Sequence, residues 1–156
     1  KSYWGKKLAE NLSYSFYDLD VEIECAENKT ISKIFTENGE EYFRQKEQQL
    51  LKKLCLNEQL IIGCGGGTPC FFNNIDLMKS NGVVIWLNPS LEILSERLIY
   101  EKDLRPIIGN TSSREEIGTI LKNLLEERIS FYARANYEIK DDSPSIEIFK
   151  KYLYDL

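Results

Sequence analysis

The chain of 156 residues contains no histidine, and no other single feature of it excludes as much. Ser-His-Asp and Cys-His nucleophilic chemistry are closed to it, as are histidine metal sites. Carboxylate, arginine, lysine and backbone chemistry remain. Those groups suit phosphoryl transfer, where positioning and charge neutralisation do most of the catalytic work. Cysteine is scarce as well. Cys25, Cys55, Cys64 and Cys70 form no C-x-x-C pair, and four is few for a secreted disulfide scaffold. They read as reduced, mostly buried thiols of a cytoplasmic protein. No apolar run approaches the roughly 20 residues of a membrane span, so no membrane partner is expected. Basic residues number 20 against 25 acidic ones, a net charge of −5. That balance argues against nonspecific binding to nucleic acid or to an anionic membrane, while leaving room for a local basic pocket. No signal peptide is visible, but Lys1 is not a natural start residue, so the true N-terminus is expected to be missing or processed. Repeats, low-complexity tracts and linkers are absent too. What is present, 42% hydrophobic and 29% charged residues, is the ordinary balance of one globular domain able to bury its own core.

Against that background the stretch "GCGGGTPC", residues 63–70, stands out because it follows the apolar run Leu60 to Ile62. Glycine supports neither strand nor helix, so Gly65, Gly66 and Gly67 serve clearance: either a turn through positive φ, or a ligand lying on bare backbone. Elsewhere the pattern alternates strand and helix. Trp4, Leu8 and Leu12 predict a helix from Ser2 to Leu12. "SFYDLD" reads as a short aromatic strand ending at two aspartates. Thr30 caps a helix that Gly39 ends, and a second helix runs on through Phe43, Leu50 and Leu54. "QLIIGC" is the strand before the glycines. A short helix over Asn74 to Ser80, a buried strand over Val83 to Leu87 and a helix opened by Pro89 and Ser90 follow. Residues 101–113, "EKDLRPIIGNTSS", have no periodicity and read as a loop. A helix from Glu115 to Arg128, a strand in "NYEIK" and a helix from Ser145 to Leu153 complete the chain. Strands alternating with helices imply an α/β fold with a parallel sheet covered on both faces, and ligands in such sheets sit beyond the carboxyl ends of the strands.

Several side chains carry candidate chemistry. Lys1-Ser2 opens a helix as the end of a G-x-x-x-x-G-K-[ST] loop does, although two residues alone also describe a solvated terminus. Asp18 and Asp20 flank Leu19, and strand alternation would point both carboxylates to one side; the plainer reading makes Asp20 the cap of a helix beginning at Val21. Arg44 and Glu47 stand three apart on a helix. They are either a surface ion pair or a carboxylate holding a guanidinium so that it can grip a substrate carboxylate. Arg105, before Pro106, lies in the loop, where it is either solvated or able to close over a transferring phosphoryl group. Arg128 is equally open.

Taken in order, "KS" opening a helix, "FYDLD", "TISKIFTENGEEYFRQKE", "LIIGCGGG", "LRPII" and "ERISFY" resemble the shikimate kinase family, from Lys1 to about Tyr132. The resemblance implies a single P-loop, nucleoside monophosphate kinase-like domain over residues 1–156, a three-layer α/β/α fold with a mobile lid at about 101–113. It implies transfer of the γ-phosphoryl of ATP to the 3-hydroxyl of shikimate in aromatic amino-acid synthesis, with Mg²⁺, by a cytoplasmic monomer. Lys1 is then the phosphate-binding lysine and Ser2 the Mg²⁺ ligand. Asp18 supports the metal through water, and Asp20 holds and orients the reacting hydroxyl. Arg44 and Arg128 bind the shikimate carboxylate, with Glu47 buttressing Arg44 and Gly66 as the direct backbone contact. Arg105 offsets charge on the transferring group, and Arg97 stacks on adenine. The family's first, central strand and the glycine half of its phosphate loop are absent from the chain, so a gap flanked by unpaired backbone is expected mid-sheet. Cys64 and the "GTPC" that ends the glycine run are also unusual for the family. The rival readings are a gluconate kinase-like enzyme, which lacks here its usual histidine after the aspartate motif, and a catalytically silent binding domain.

Overall fold

The computed structural model describes residues 1–101 and 113–154. Helix α1 (Ser2–Leu12) comes first, followed by strand β1 (Ser15–Asp18), helix α2 (Leu19–Glu27), the long helix α3 (Ile31–Leu54) and strand β2 (Leu60–Gly63). After a 3₁₀ turn at Thr68–Cys70 come α4 (Asn74–Asn81), β3 (Ile85–Leu87), α5 (Leu91–Glu101), α6 (Arg114–Tyr132), β4 (Tyr137–Ile139) and α7 (Ile146–Tyr154). The apolar spacing of α1 places its two ends as the sequence predicts, and α6 runs four residues beyond its expected end. Gly39 interrupts α3 with φ +82°, a backbone conformation that costs glycine little and other residues more. Thr30 caps the same helix, its hydroxyl accepting from the Lys33 amide at 3.3 Å.

All strand pairing among the described residues is parallel, and it occurs in two separate pairs. Ser15 to Asp18 lie beside Leu60 to Gly63 in register, and Ile85 to Leu87 beside Tyr137 to Ile139. No ladder joins β2 to β3, so the expected mid-sheet gap falls between the two pairs. Packing spans it. Leu8 of α1, Ile139 and Phe149 of α7 form one buried cluster that also collects Ile61 from β2 and Ile85 and Leu87 from β3. The next residue along β2, Ile62, faces the other way into a cluster with Leu19, Leu51 and Leu54. Strand alternation thus feeds two apolar layers, one under α1 and α7 and one under α3, which makes the three-layer arrangement. Contact on the first side is close. A Cβ on Gly5 of α1 would lie within 3.0 Å of Phe16 ring atoms, so glycine alone lets the helix settle on β1. No helix among the described residues is long and apolar enough to cross a membrane.

Candidate active site

The carboxyl ends of β1 and β2 meet the start of α1, and two polar clusters form there. In the first, Lys1 Nζ donates to Asp18 Oδ1 and to Asp20 Oδ2, both at 2.9 Å, and Ser2 Oγ donates to Asp18 Oδ2 at 2.5 Å. The geometry behind this differs from the strand alternation the sequence suggests. The strand ends at Asp18, whose carboxylate caps α2 by accepting from the Asp20 amide at 3.2 Å. Asp18, not Asp20, is the capping residue, and Asp20 sits in the first helical turn. The two carboxylates converge because a cap folds back on its own first turn. Burial works to raise the Asp18 carboxyl, but hydrogen bonds from Ser2 and Lys1, with the Lys1 charge, outweigh it and hold the group below its ordinary range. Burial likewise works to lower the Lys1 ammonium, and the paired aspartates prevail and hold it above its ordinary range.

The second cluster is drier. Arg44 is 4% exposed and Glu47 0%, so the pair is not the surface ion pair that spacing alone allows. Arg44 Nη1 donates to Glu47 Oε2 at 2.9 Å, while Nε and Nη2 donate to Glu40 Oε1 at 3.1 and 3.0 Å. The guanidinium carbon lies 4.6 Å from the ring centre of Phe71 and 5.1 Å from that of Phe43. Glu47 completes its contacts by accepting from the Thr68 hydroxyl. Burial raises the Glu47 carboxyl above its ordinary range, against the opposing pull of Thr68 and Arg44.

The glycine run is the floor between these clusters. A Cβ on Gly65 would stand 3.4 Å from Asp20 Oδ1 and from Glu47 Oε1; on Gly66, 3.0 Å from Tyr132 Oη and 3.3 Å from Arg128 Nη1. On Gly67 it would come within 3.0 Å of three guanidinium atoms of Arg44. Clearance for neighbouring polar groups, rather than positive φ, therefore accounts for the run: among the described residues the one glycine with positive φ is Gly39. Tyr132 Oη donates to the Gly66 carbonyl at 2.7 Å, and burial raises its hydroxyl above the ordinary range. Cys64 is pushed up to about 12, mainly by burial, which leaves it no thiolate chemistry near neutrality.

The structure thus brings together Lys1, Ser2, Asp18, Asp20, Arg44, Glu47, Gly66 and Arg128. Arg97 lies apart from them and donates to the Asp142 carbonyl at 3.1 Å. That places it beside a cleft of about 600 Å³ beyond β3 and β4, lined by Asn88, Pro89, Ser90, Leu91, Lys140, Asp141 and Asp142. Arg105 and the expected lid, apart from its end residues, lie outside the described residues. Sequence reasoning passed over Phe71 and gave Thr68 and Glu40, which lie inside the motifs above, no role. It quoted Tyr132 without a role, although Tyr132 stands one helical turn after Arg128 and so on its face.

Comparison with known proteins agrees with this geometry. A family model described as shikimate kinase matches residues 1–156. A shikimate kinase of Azobacteroides pseudotrichonymphae is 44% identical over 133 residues, 85% of this chain and 78% of that protein. One from Parabacteroides distasonis is 40% identical over 132 residues, 85% of this chain and 76% of its own length. The crystal structure of shikimate kinase from Bacteroides thetaiotaomicron superposes with a TM-score of 0.91 at 32% identity, covering 100% of this chain and 92% of that one. Shikimate kinase from Acinetobacter baumannii in complex with shikimate gives 0.86 at 29% identity, covering 98% and 83%. A buried guanidinium, a bare glycine floor and a Lys-Ser-Asp-Asp cluster, in a chain matched over its whole length, agree with a single assignment: this chain belongs to the shikimate kinase family.

Proposed function

We propose that this site phosphorylates the 3-hydroxyl of shikimate at the expense of ATP, with Asp20 and Arg44 as the two anchors of the acceptor. The observation that carries the reading is the glycine floor, above which Asp20 and Glu47, then Arg128, then Arg44 stand in the space a Cβ would approach. An acceptor lying on Gly66 would meet guanidinium groups at one end and a carboxylate at the other. A hydroxy acid bears the matching groups, an anion and an alcohol. Arg44 and Arg128 take the carboxylate. Asp20 accepts a hydrogen bond from the reacting hydroxyl, orients its oxygen and takes its proton as the bond to phosphorus forms, and Lys1 neutralises the outer phosphates. Arg105 is assigned the charge-offsetting role in the lid, and Arg97 the adenine face, on sequence resemblance. For Arg97 the adjoining cleft is further support. A complete acceptor pocket speaks against a silent binding domain.

The donor set fits Mg²⁺. Ser2 and Asp18 offer hard oxygen ligands, and the Lys1 ammonium already draws cationic charge to Asp18 and Asp20. Among the described residues no group of three or more acidic, cysteine or histidine side chains forms a closed metal cage. Ser2 and Asp18 would hold an ion carried in with nucleotide phosphates, and that ion would supply positive charge to offset theirs. A cytoplasmic, monomeric enzyme belongs to the same proposal; its four cysteines are unpaired.

A coupled ADP-release assay across shikimate, gluconate and nucleoside monophosphates tests the reading. Shikimate is expected to give the highest kcat/KM, and equal or better turnover on either rival would overturn the assignment. The floor has its own test. Gly67→Ala puts a methyl where the Arg44 guanidinium lies, and the KM for shikimate is expected to rise about tenfold, the effect of roughly 1.4 kcal/mol. Steady-state kinetics beside a thermal melt separate this from unfolding. A folded Gly67→Ala enzyme with unchanged KM would show that the Arg44 position is immaterial.

A further inference from the structure

We propose that Thr68, the first residue after the glycine run, is a positioning residue for acceptor binding, acting on Arg44 through Glu47. This rests on the reading of Arg44 as the carboxylate clamp. Glu47 has two carboxylate oxygens and no exposure to water; Oε2 accepts from Arg44 Nη1 at 2.9 Å, and Oε1 accepts from the Thr68 hydroxyl. Glu47 can orient Arg44 only if its own rotamer is fixed, and Thr68 holds the carboxylate oxygen that Arg44 does not.

Thr68 is itself held firmly. It is 0% exposed, its amide donates to the Gly65 carbonyl at 3.1 Å, and its carbonyl accepts from Asn74 Nδ2 at 2.9 Å. Asn74 is also fully buried, at the start of α4. A chain of buried polar contacts therefore runs from α4 through the 3₁₀ turn to α3 and ends on the guanidinium. Immediately after that turn, the Phe71 ring centre lies 4.6 Å from the Arg44 guanidinium carbon. The segment from Thr68 to Phe71 thus reaches Arg44 twice, by a hydroxyl through Glu47 and by an aromatic face directly.

The hydroxyl is the functional part, and the chemistry distinguishes it from mere packing. Valine matches threonine in shape but cannot donate, and it leaves Glu47 Oε1 buried without its partner. Serine keeps the donor and loses only a methyl. The experiment measures kcat and both KM values for wild type, Thr68→Val, Thr68→Ser and Arg44→Lys, with thermal melts on each.

The expected result is a KM for shikimate raised about tenfold in Thr68→Val, with the KM for ATP and kcat within about threefold of wild type. Thr68→Ser is expected to restore most of the shikimate KM. A Thr68→Val enzyme with unchanged shikimate KM, while Arg44→Lys raises it, overturns the relay alone. Unchanged KM in Arg44→Lys overturns the clamp reading beneath it. Equal losses in both KM values and kcat, shared by Val and Ser, would mark Thr68 as core packing and also overturn the proposal. If Thr68→Val does not fold, Thr68→Ala removes the same hydroxyl without placing a methyl against Glu47, and its KM split decides by the same criteria.

Discussion

An Asp20→Asn enzyme is expected to turn over about a thousandfold more slowly at saturating ATP and shikimate, within the range lost when a positioned general base is removed. Asparagine matches aspartate in shape, and the Asp20 side chain is 38% exposed, so little packing is disturbed. The Asp20 amide that donates to Asp18 Oδ1 is backbone and survives the change, so the start of α2 keeps its cap. What goes is the negative charge that faces the Gly65 floor and pairs with Lys1 Nζ at 2.9 Å. An amide oxygen can still accept a hydrogen bond from the acceptor alcohol. It cannot take the alcohol proton, and without its charge the Lys1 ammonium is held by Asp18 alone of the two aspartates. The measurement is kcat from single-turnover and steady-state runs, beside circular dichroism and a melt to show the fold intact. An Asp20→Asn protein within about threefold of wild-type kcat would remove Asp20 from the chemistry.

The same residues show how far the sequence reaches. Helix α1 was legible to its ends because Trp4, Leu8 and Leu12 repeat at helical spacing and Leu8 is buried as that predicts. The pair Arg44 and Glu47 was legible because residues three apart on a helix must share a face, and the contact is local. The D-L-D end of β1 was misread for an equally local reason. A short polar residue at a strand-to-helix junction can either continue the pleat or cap the next helix, and here Asp18 caps. The contacts of Thr68 with Glu47, 21 residues away, and of Tyr132 with Gly66, 66 away, left no periodic trace in one sequence. Such pairs are set by how α3, the 3₁₀ turn and α6 pack, which the local pattern does not determine. The glycine run lay between these cases. Its need for clearance was visible in the sequence, and only the fold shows which groups occupy the cleared space.

Arg44→Lys is expected to raise the KM for shikimate roughly 10- to 100-fold while kcat changes much less, the mark of binding lost equally in ground and transition states. A guanidinium has five N–H groups, and three are committed: Nε and one on Nη2 to Glu40, and one on Nη1 to Glu47. One N–H therefore remains on each Nη, two charged donors that a substrate carboxylate can accept from. Lysine keeps the charge and can still pair with Glu47, so the buried carboxylate is not abandoned and the protein is expected to fold. It cannot serve Glu47, Glu40 and a two-pronged acceptor from one point, nor present a flat face to Phe71 at 4.6 Å. Comparing shikimate with an analogue whose carboxylate is replaced by a neutral amide sharpens the test. The wild-type enzyme is expected to discriminate strongly between the two, and Arg44→Lys weakly, because the fork that distinguishes them is gone. Undiminished discrimination in Arg44→Lys, or an unchanged shikimate KM, would move the carboxylate away from Arg44 and leave Arg128 as its main partner.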